Sequence, residues 1–186
     1  AGCLSRRGWR RGLTAGDRDD ANCLLVSCGL PISQPFVAVV PGARWETKAW
    51  PPERFVETID ELQSQGGPRC VLLGGDSERE RCARIAEACR DRPIDLSART
   101  PLRRLAAILE RAHVVLCHDS GPMHVAVALN RPVVCIIGPT NPRRTGPYQR
   151  PDSVVRLDLD CAPCYLRKLS KCAYQHRCMR DLQTEG

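Results

Sequence analysis

His118-Asp119-Ser120-Gly121-Pro122-Met123-His124 follows directly on the apolar run Val114 to Cys117 and packs five polar or glycine positions into seven residues. Such a set could catalyse by nucleophile or bind an anion. Serine hydrolases of the α/β type carry their nucleophile in G-x-S-x-G, and here the residue two before Ser120 is His118, so that pattern is broken. Anion binding fits the spacing better. Ser120-Gly121 opens into a helix expected over Pro122 to Leu129, where free N–H groups and the positive end of the helix dipole favour negative charge. Gly121 permits close approach and Ser120 adds a hydroxyl. Asp119 either accepts from a sugar hydroxyl or ties down the loop. His124 either reaches a phosphate or sugar or is satisfied by a backbone carbonyl. Met123 and Val125 read as packing residues.

Pro41-Gly42-Ala43-Arg44-Trp45-Glu46-Thr47-Lys48 follows another apolar run and combines a glycine, two cations and a hydroxyl. It suits a phosphate, or else is a solvated loop whose cations pair with nearby acids. Gly74-Gly75-Asp76-Ser77-Glu78 is a weaker signal. Asp76 or Glu78 could bond a ribose diol, although a first-turn carboxylate more often caps its helix. A third segment, Gly138 to Tyr148, is rich in glycine, proline and arginine. The sequence has no G-x-G-x-x-G and no Walker lysine motif, which argues against a dinucleotide dehydrogenase and a P-loop ATPase.

These loops need a frame, and the apolar pattern supplies one. Strands are expected at Phe36 to Val40, Cys70 to Leu73, around Ile94 to Leu96, at Val114 to Cys117, Val133 to Ile137 and near Val154 to Leu157. Their nearly continuous apolar character suits a parallel sheet covered on both faces. Helices are expected between them: Pro52 to about Gln65, one capped by Ser77, one opened by Thr100-Pro101, and Pro122 to Leu129. Such alternation predicts an α/β, Rossmann-like doubly wound parallel sheet over residues 35–160, with ligands bound beyond the carboxyl ends of its strands. Residues 1–34 read as a linker or the remnant of something larger, because no periodicity is sustained there. Residues 161–186 read as a Cys-rich basic tail.

The net charge of +7 is concentrated at the ends. A nucleic-acid face would need its basic residues clustered on the folded core, and residues 21–160 are nearly balanced, so no nucleic-acid partner is expected. No apolar run reaches the roughly 18 residues of a membrane span and no signal peptide is evident, so a soluble protein in a reducing cytosol is expected. Of the twelve cysteines, Cys70, Cys82, Cys89, Cys117 and Cys135 fit as small buried hydrophobes. Cys161, Cys164, Cys172 and Cys178 form C-x2-C-x7-C-x5-C, which could hold one zinc or be thiols of a tail packed on the domain; no metal is the favoured reading.

Residues 41–55, Asp119 to Ala126 and Gly138 to Tyr148 together, in this order, resemble the ADP-heptose:lipopolysaccharide heptosyltransferases, glycosyltransferase family 9. The resemblance covers about residues 35–180 and implies the carboxyl-terminal, donor-binding half of a GT-B architecture. It implies an inverting, metal-independent transfer of heptose from ADP-heptose, or a related nucleotide sugar, to the lipopolysaccharide inner core, with no cofactor required. Location in the cytoplasm at the inner face of the membrane, with peripheral membrane contact, is implied as well. By the same resemblance Thr47 and Lys48 contact the diphosphate, Glu78 lies near the ribose and the segment ending at Thr100 near the adenine, while Gly42 and Arg44 of the phosphate-suited loop are donor-binding candidates. Asp119, Ser120, Gly121 and His124 would form the diphosphate and sugar loop. The family's general base has no counterpart in these residues, so the chain alone is expected to bind donor and not to turn over. The alternative is a non-catalytic nucleotide-sugar-binding module.

Overall fold

A computed structural model describes residues 12–184. Six parallel strands, β1 (Phe36–Val40), β2 (Arg69–Leu72), β3 (Ile94–Asp95), β4 (Val114–His118), β5 (Val133–Ile136) and β6 (Val154–Val155), form one sheet in the order β3-β2-β1-β4-β5-β6. This is the doubly wound arrangement expected, and its strand order reverses between β1 and β4. The loops after those two strands therefore diverge, leaving a crevice at the carboxyl edge of the sheet. The last strand is shorter than expected, two residues rather than four.

Burial on both faces explains the composition of β1. Phe36, Ala38 and Val40 enter one apolar cluster and Val37 and Val39 the other, as period-two alternation requires. Helices α1 (Ala15–Ser27), α4 (Leu102–Arg111) and α5 (Gly121–Ala128) supply the first cluster with Leu25, Ile108, Leu109 and Met123. Helices α2 (Pro52–Ser64) and α3 (Arg79–Ala88) supply the second with Phe55, Ile59, Cys82 and Ile85. Burial pushes the Cys70 and Cys82 thiols up to about 12, so both stay protonated and serve as packing groups.

Both ends of the described chain pack on the sheet layers. The segment read as a linker or remnant carries α1, which begins with a capping box in which the Thr14 side chain accepts from Asp17 N and the Asp17 carboxylate accepts from Thr14 N. Its buried face is only Ala21 and Leu25; ion pairs to α4 complete the docking, with Arg18 gripping Glu110 through two bonds of 2.6 and 3.0 Å. The first eleven residues of that segment lie outside the described residues. At the other end, the Cys-rich segment packs back on the domain. Cys178, Met179 and Leu182, the first two around the short helix α7 (Arg177–Arg180), complete the second cluster, and Trp50 Nε1 donates to Leu182 O at 3.1 Å.

Candidate functional site

The crevice holds two adjoining cavities. The larger, about 820 Å³, runs from an apolar end at Leu73, Leu102 and Leu105, past Thr100, Ser77 and Glu78, to Gly42, Arg44, Ser120 and Gly121. The smaller, about 330 Å³, shares Arg44, Ser120 and Gly121 and is completed by Trp45, Lys48, Asp119, His124 and Arg167. Every residue expected to hold the donor lines one or the other, with one exception. Thr47 lines neither: it is 2% exposed and its hydroxyl donates to Leu166 O. Its backbone carbonyl is bonded to His176 Nε2 at 2.7 Å, so the carboxyl-terminal segment grips the loop on both sides of Thr47. Thr47 thereby fixes its neighbour Lys48 instead of facing the cavity.

Where the two cavities meet stands the amino terminus of α5. Ser120 is its N-cap residue in an extended conformation and makes no side-chain capping bond. Its Oγ is buried and has no hydrogen-bond partner among the described residues, a state that costs a hydroxyl about 1–3 kcal/mol unless a ligand completes it. A Cβ at Gly121 would meet nothing within 4 Å, so the space before the first N–H groups of α5 is open. A helix start with a buried, unpartnered hydroxyl has the donors an anion needs.

Lys48 stands beside it. The ammonium lies 2.8 Å from Asp119 Oδ2 and 4.5 Å from the Trp45 ring centroid. Asp119, 7% exposed, also accepts from Thr140 Oγ1 at 2.8 Å and Thr145 Oγ1 at 2.7 Å. Burial pushes its carboxyl up, but the bonds from Lys48, Thr145 and Thr140 outweigh it and hold the group below the usual carboxylate range. Arg44 and Arg167 reach no carboxylate among the described residues, so the smaller cavity carries excess positive charge.

His118, one residue earlier, receives the opposite treatment. It is fully buried; Trp50 N donates to its Nε2 at 2.9 Å and its Nδ1 lies 3.3 Å from Gly42 O. An imidazole accepting at one nitrogen and donating at the other is neutral, and burial lowers its pKa to about 4. Both nitrogens are occupied and Ser120 Oγ touches neither, which rules out the hydrolase arrangement. His118 instead pins the loop after β1 to the end of β4.

Glu78 folds back over its own loop, accepting from Gly75 N at 2.8 Å and from Ser77 Oγ at 2.6 Å. A Cβ on Gly42 would collide with the Glu78 side chain, and one on Gly74 would lie 2.7 Å from Glu78 Cβ. The glycines thus make room for a carboxylate that in turn forms the cavity wall. Ser77 lies within a 3-10 turn rather than capping α3, and Thr100 lies one residue before the N-cap Pro101 of α4, so neither caps as expected. His124 is exposed on the first turn of α5, facing the smaller cavity.

All four carboxyl-terminal cysteines line one small cavity of about 140 Å³, and burial pushes the Cys178 thiol up to about 11. Among the described residues no group of three or more His, Cys, Asp or Glu side chains is arranged to hold a metal. Reading from sequence missed Leu102, Leu105, Thr140, Thr145 and Arg167 as parts of the site. The two threonines stood in a segment already singled out, whereas Arg167 gave no signal.

A doubly wound sheet with its crevice at the switch point defines a Rossmann-like domain. The profile of glycosyltransferase family 9 (heptosyltransferase) matches residues 11–174, and the chain belongs to that family. It is 33% identical over 141 residues to lipopolysaccharide heptosyltransferase 1 of Pseudomonas aeruginosa, covering 76% of this chain and 38% of that protein. A family 9 glycosyltransferase from Veillonella parvula superimposes with a TM-score of 0.71 at 30% identity, over 77% of this chain and 41% of its own. Escherichia coli heptosyltransferase WaaC, solved with ADP-2-deoxy-2-fluoro heptose, does so with a TM-score of 0.51 at 30% identity, over 69% and 40%. The chain thus spans about two fifths of the length of these relatives, and its fold is the Rossmann-like half of the GT-B architecture.

Proposed function

We propose that this chain is the donor-binding half of a heptosyltransferase, holding ADP-heptose or a related nucleotide diphosphate sugar for transfer to the lipopolysaccharide inner core. The observation that carries the reading is the continuity of the larger cavity. One end is apolar, at Leu73, Leu102 and Leu105, as a base requires; the other is the amino terminus of α5 with the unpartnered Ser120 hydroxyl, as a diphosphate requires. Glu78 and Thr100 lie between them, at the height of a ribose. The sugar enters the smaller cavity, where Asp119 Oδ1 takes no hydrogen bond among the described residues and His124 lines the wall.

Bond cleavage leaves negative charge on the nucleoside diphosphate. Lys48, the first N–H groups of α5 and Ser120 stand where that charge develops, and preorganised donors there lower the barrier without reorganising. This reading is metal-independent and inverting, and it needs no cofactor. The base that activates the acceptor belongs to the part of the relatives' length this chain does not span. Contact with the inner face of the membrane would be peripheral; among the described residues no helix is long and apolar enough to cross one.

Thermal-shift titration tests the reading, because a ligand of the native state raises stability. ADP and ADP-heptose should raise the melting temperature and GDP and UDP should do so far less. No shift with either adenine ligand would contradict it.

A further inference from the structure

Asp119 gathers all its side-chain hydrogen bonds on one oxygen. Lys48 Nζ, Thr140 Oγ1 and Thr145 Oγ1 reach Oδ2 at 2.8, 2.8 and 2.7 Å. The lysine comes from the loop after β1, and the threonines come from the loop after β5 and the end of the short helix α6 (Pro142–Thr145). Thr140 is 1% exposed, and neither threonine lines either cavity of the site. Hydroxyls placed against the carboxylate and away from the ligand space can act on a ligand only through Asp119 and Lys48.

A buried carboxylate with a lysine as sole partner would restrain that lysine, since moving the ammonium would leave a buried charge bare. Two hydroxyl bonds to the charged group remove that restraint. We infer that Thr140 and Thr145 are positioning residues that hold Asp119 when the Lys48 ammonium turns from it to the terminal phosphate of a bound nucleoside diphosphate. The inference rests on the donor reading above. Lys48 rests on Asp119 beside the start of α5; on meeting the phosphate it would swing across while the threonines keep the carboxylate charged and fixed. The pair is thus a switchable cation rather than a static ion pair.

Calorimetric titration of T140V/T145V with ADP and with AMP tests this, together with carbon-13 NMR titration of the Asp119 carboxyl. The double variant should lose about tenfold in ADP affinity, the equivalent of one hydrogen bond to a charged group, while AMP, which lacks the terminal phosphate, keeps its affinity. The Asp119 titration should move upward as donors to its charged form are lost. T140S/T145S, which keeps both hydroxyls, should restore both readouts. T145V alone changes the less buried position and should give about a threefold loss, so the claim stays testable if the double variant does not fold. An ADP-to-AMP ratio equal to wild type in these valine variants overturns the inference, and so does an unmoved Asp119 titration. If the wild type binds no ADP, the donor reading falls, and the carboxyl titration still decides whether the threonines hold Asp119.

Discussion

The two cavities meet at Ser120 and Gly121 yet are built on opposite principles. The larger is shaped by absence: glycines at 42 and 74 let Glu78 fold in, and Leu73 just after β2 with Leu102 and Leu105 of α4 forms an apolar end. The smaller is shaped by charge, with Lys48, Arg44 and Arg167 around one carboxylate. The contrast extends to the two buried titratable residues that end β4 and start its loop, His118 kept neutral and Asp119 kept ionised. In the proposed reading the apolar end orients a base by shape while the start of α5, with Lys48 beside it, gathers a diphosphate, so one crevice would separate recognition from leaving-group stabilisation.

That separation can be broken from either side. Replacing Lys48 by Ala removes the cation that would meet the terminal phosphate, so ADP affinity should fall about a hundredfold, in line with truncating one member of a desolvated charged pair between protein and ligand. AMP should lose only a few-fold, and calorimetry with both ligands reads the ratio. Equal losses would mean that Lys48 supports the whole crevice rather than its charged lobe.

Acid should act on the frame beneath both lobes. His118 has a folded pKa of about 4 against an ordinary 6.5, so the unfolded chain binds the extra proton between those values and stability falls as pH drops through that window. Urea unfolding should show a loss of about 2 kcal/mol between pH 7.5 and pH 5 from this group alone, absent in His118→Gln. Asp119 adds its own loss only lower, because its carboxyl sits below the usual range and stays ionised until the pH falls past its folded value.

How much of this could be read from the residues follows the same division. The strands and the loops at Gly42, Ser120 and Gly138 were legible because continuous apolar runs and glycine-marked turns are local signals. Helix α1 was not, because its buried face is two residues and its docking depends on Arg18 meeting Glu110, 92 positions away. Thr47 reads as a ligand contact by its place beside Lys48, and only the folded carboxyl-terminal segment reveals that Leu166 O takes its hydroxyl. That segment has almost no regular structure, so neither period nor propensity could show that it seals the second core and braces the site.

Smaller effects sharpen the comparison. Leu102 is 61% exposed at the apolar end of the larger cavity, and Leu102→Asp should weaken AMP and ADP alike, by about fivefold, through lost contact with the base. A loss confined to ADP would misplace the base. Ser120→Ala should split by sign: the ligand-free protein keeps or gains up to about 1 kcal/mol by shedding an unpartnered buried hydroxyl, while ADP binds about threefold more weakly. Thermal melts with and without ADP separate the two.

The central claim is that one crevice seats a base at one end and a diphosphate at the other. Calorimetric titration of the 186-residue chain with ADP and with AMP at pH 7.5 tests it most directly. Both should bind, with ADP tighter by about tenfold or more through Lys48 and the start of α5. Equal affinities, or binding of neither, would contradict it.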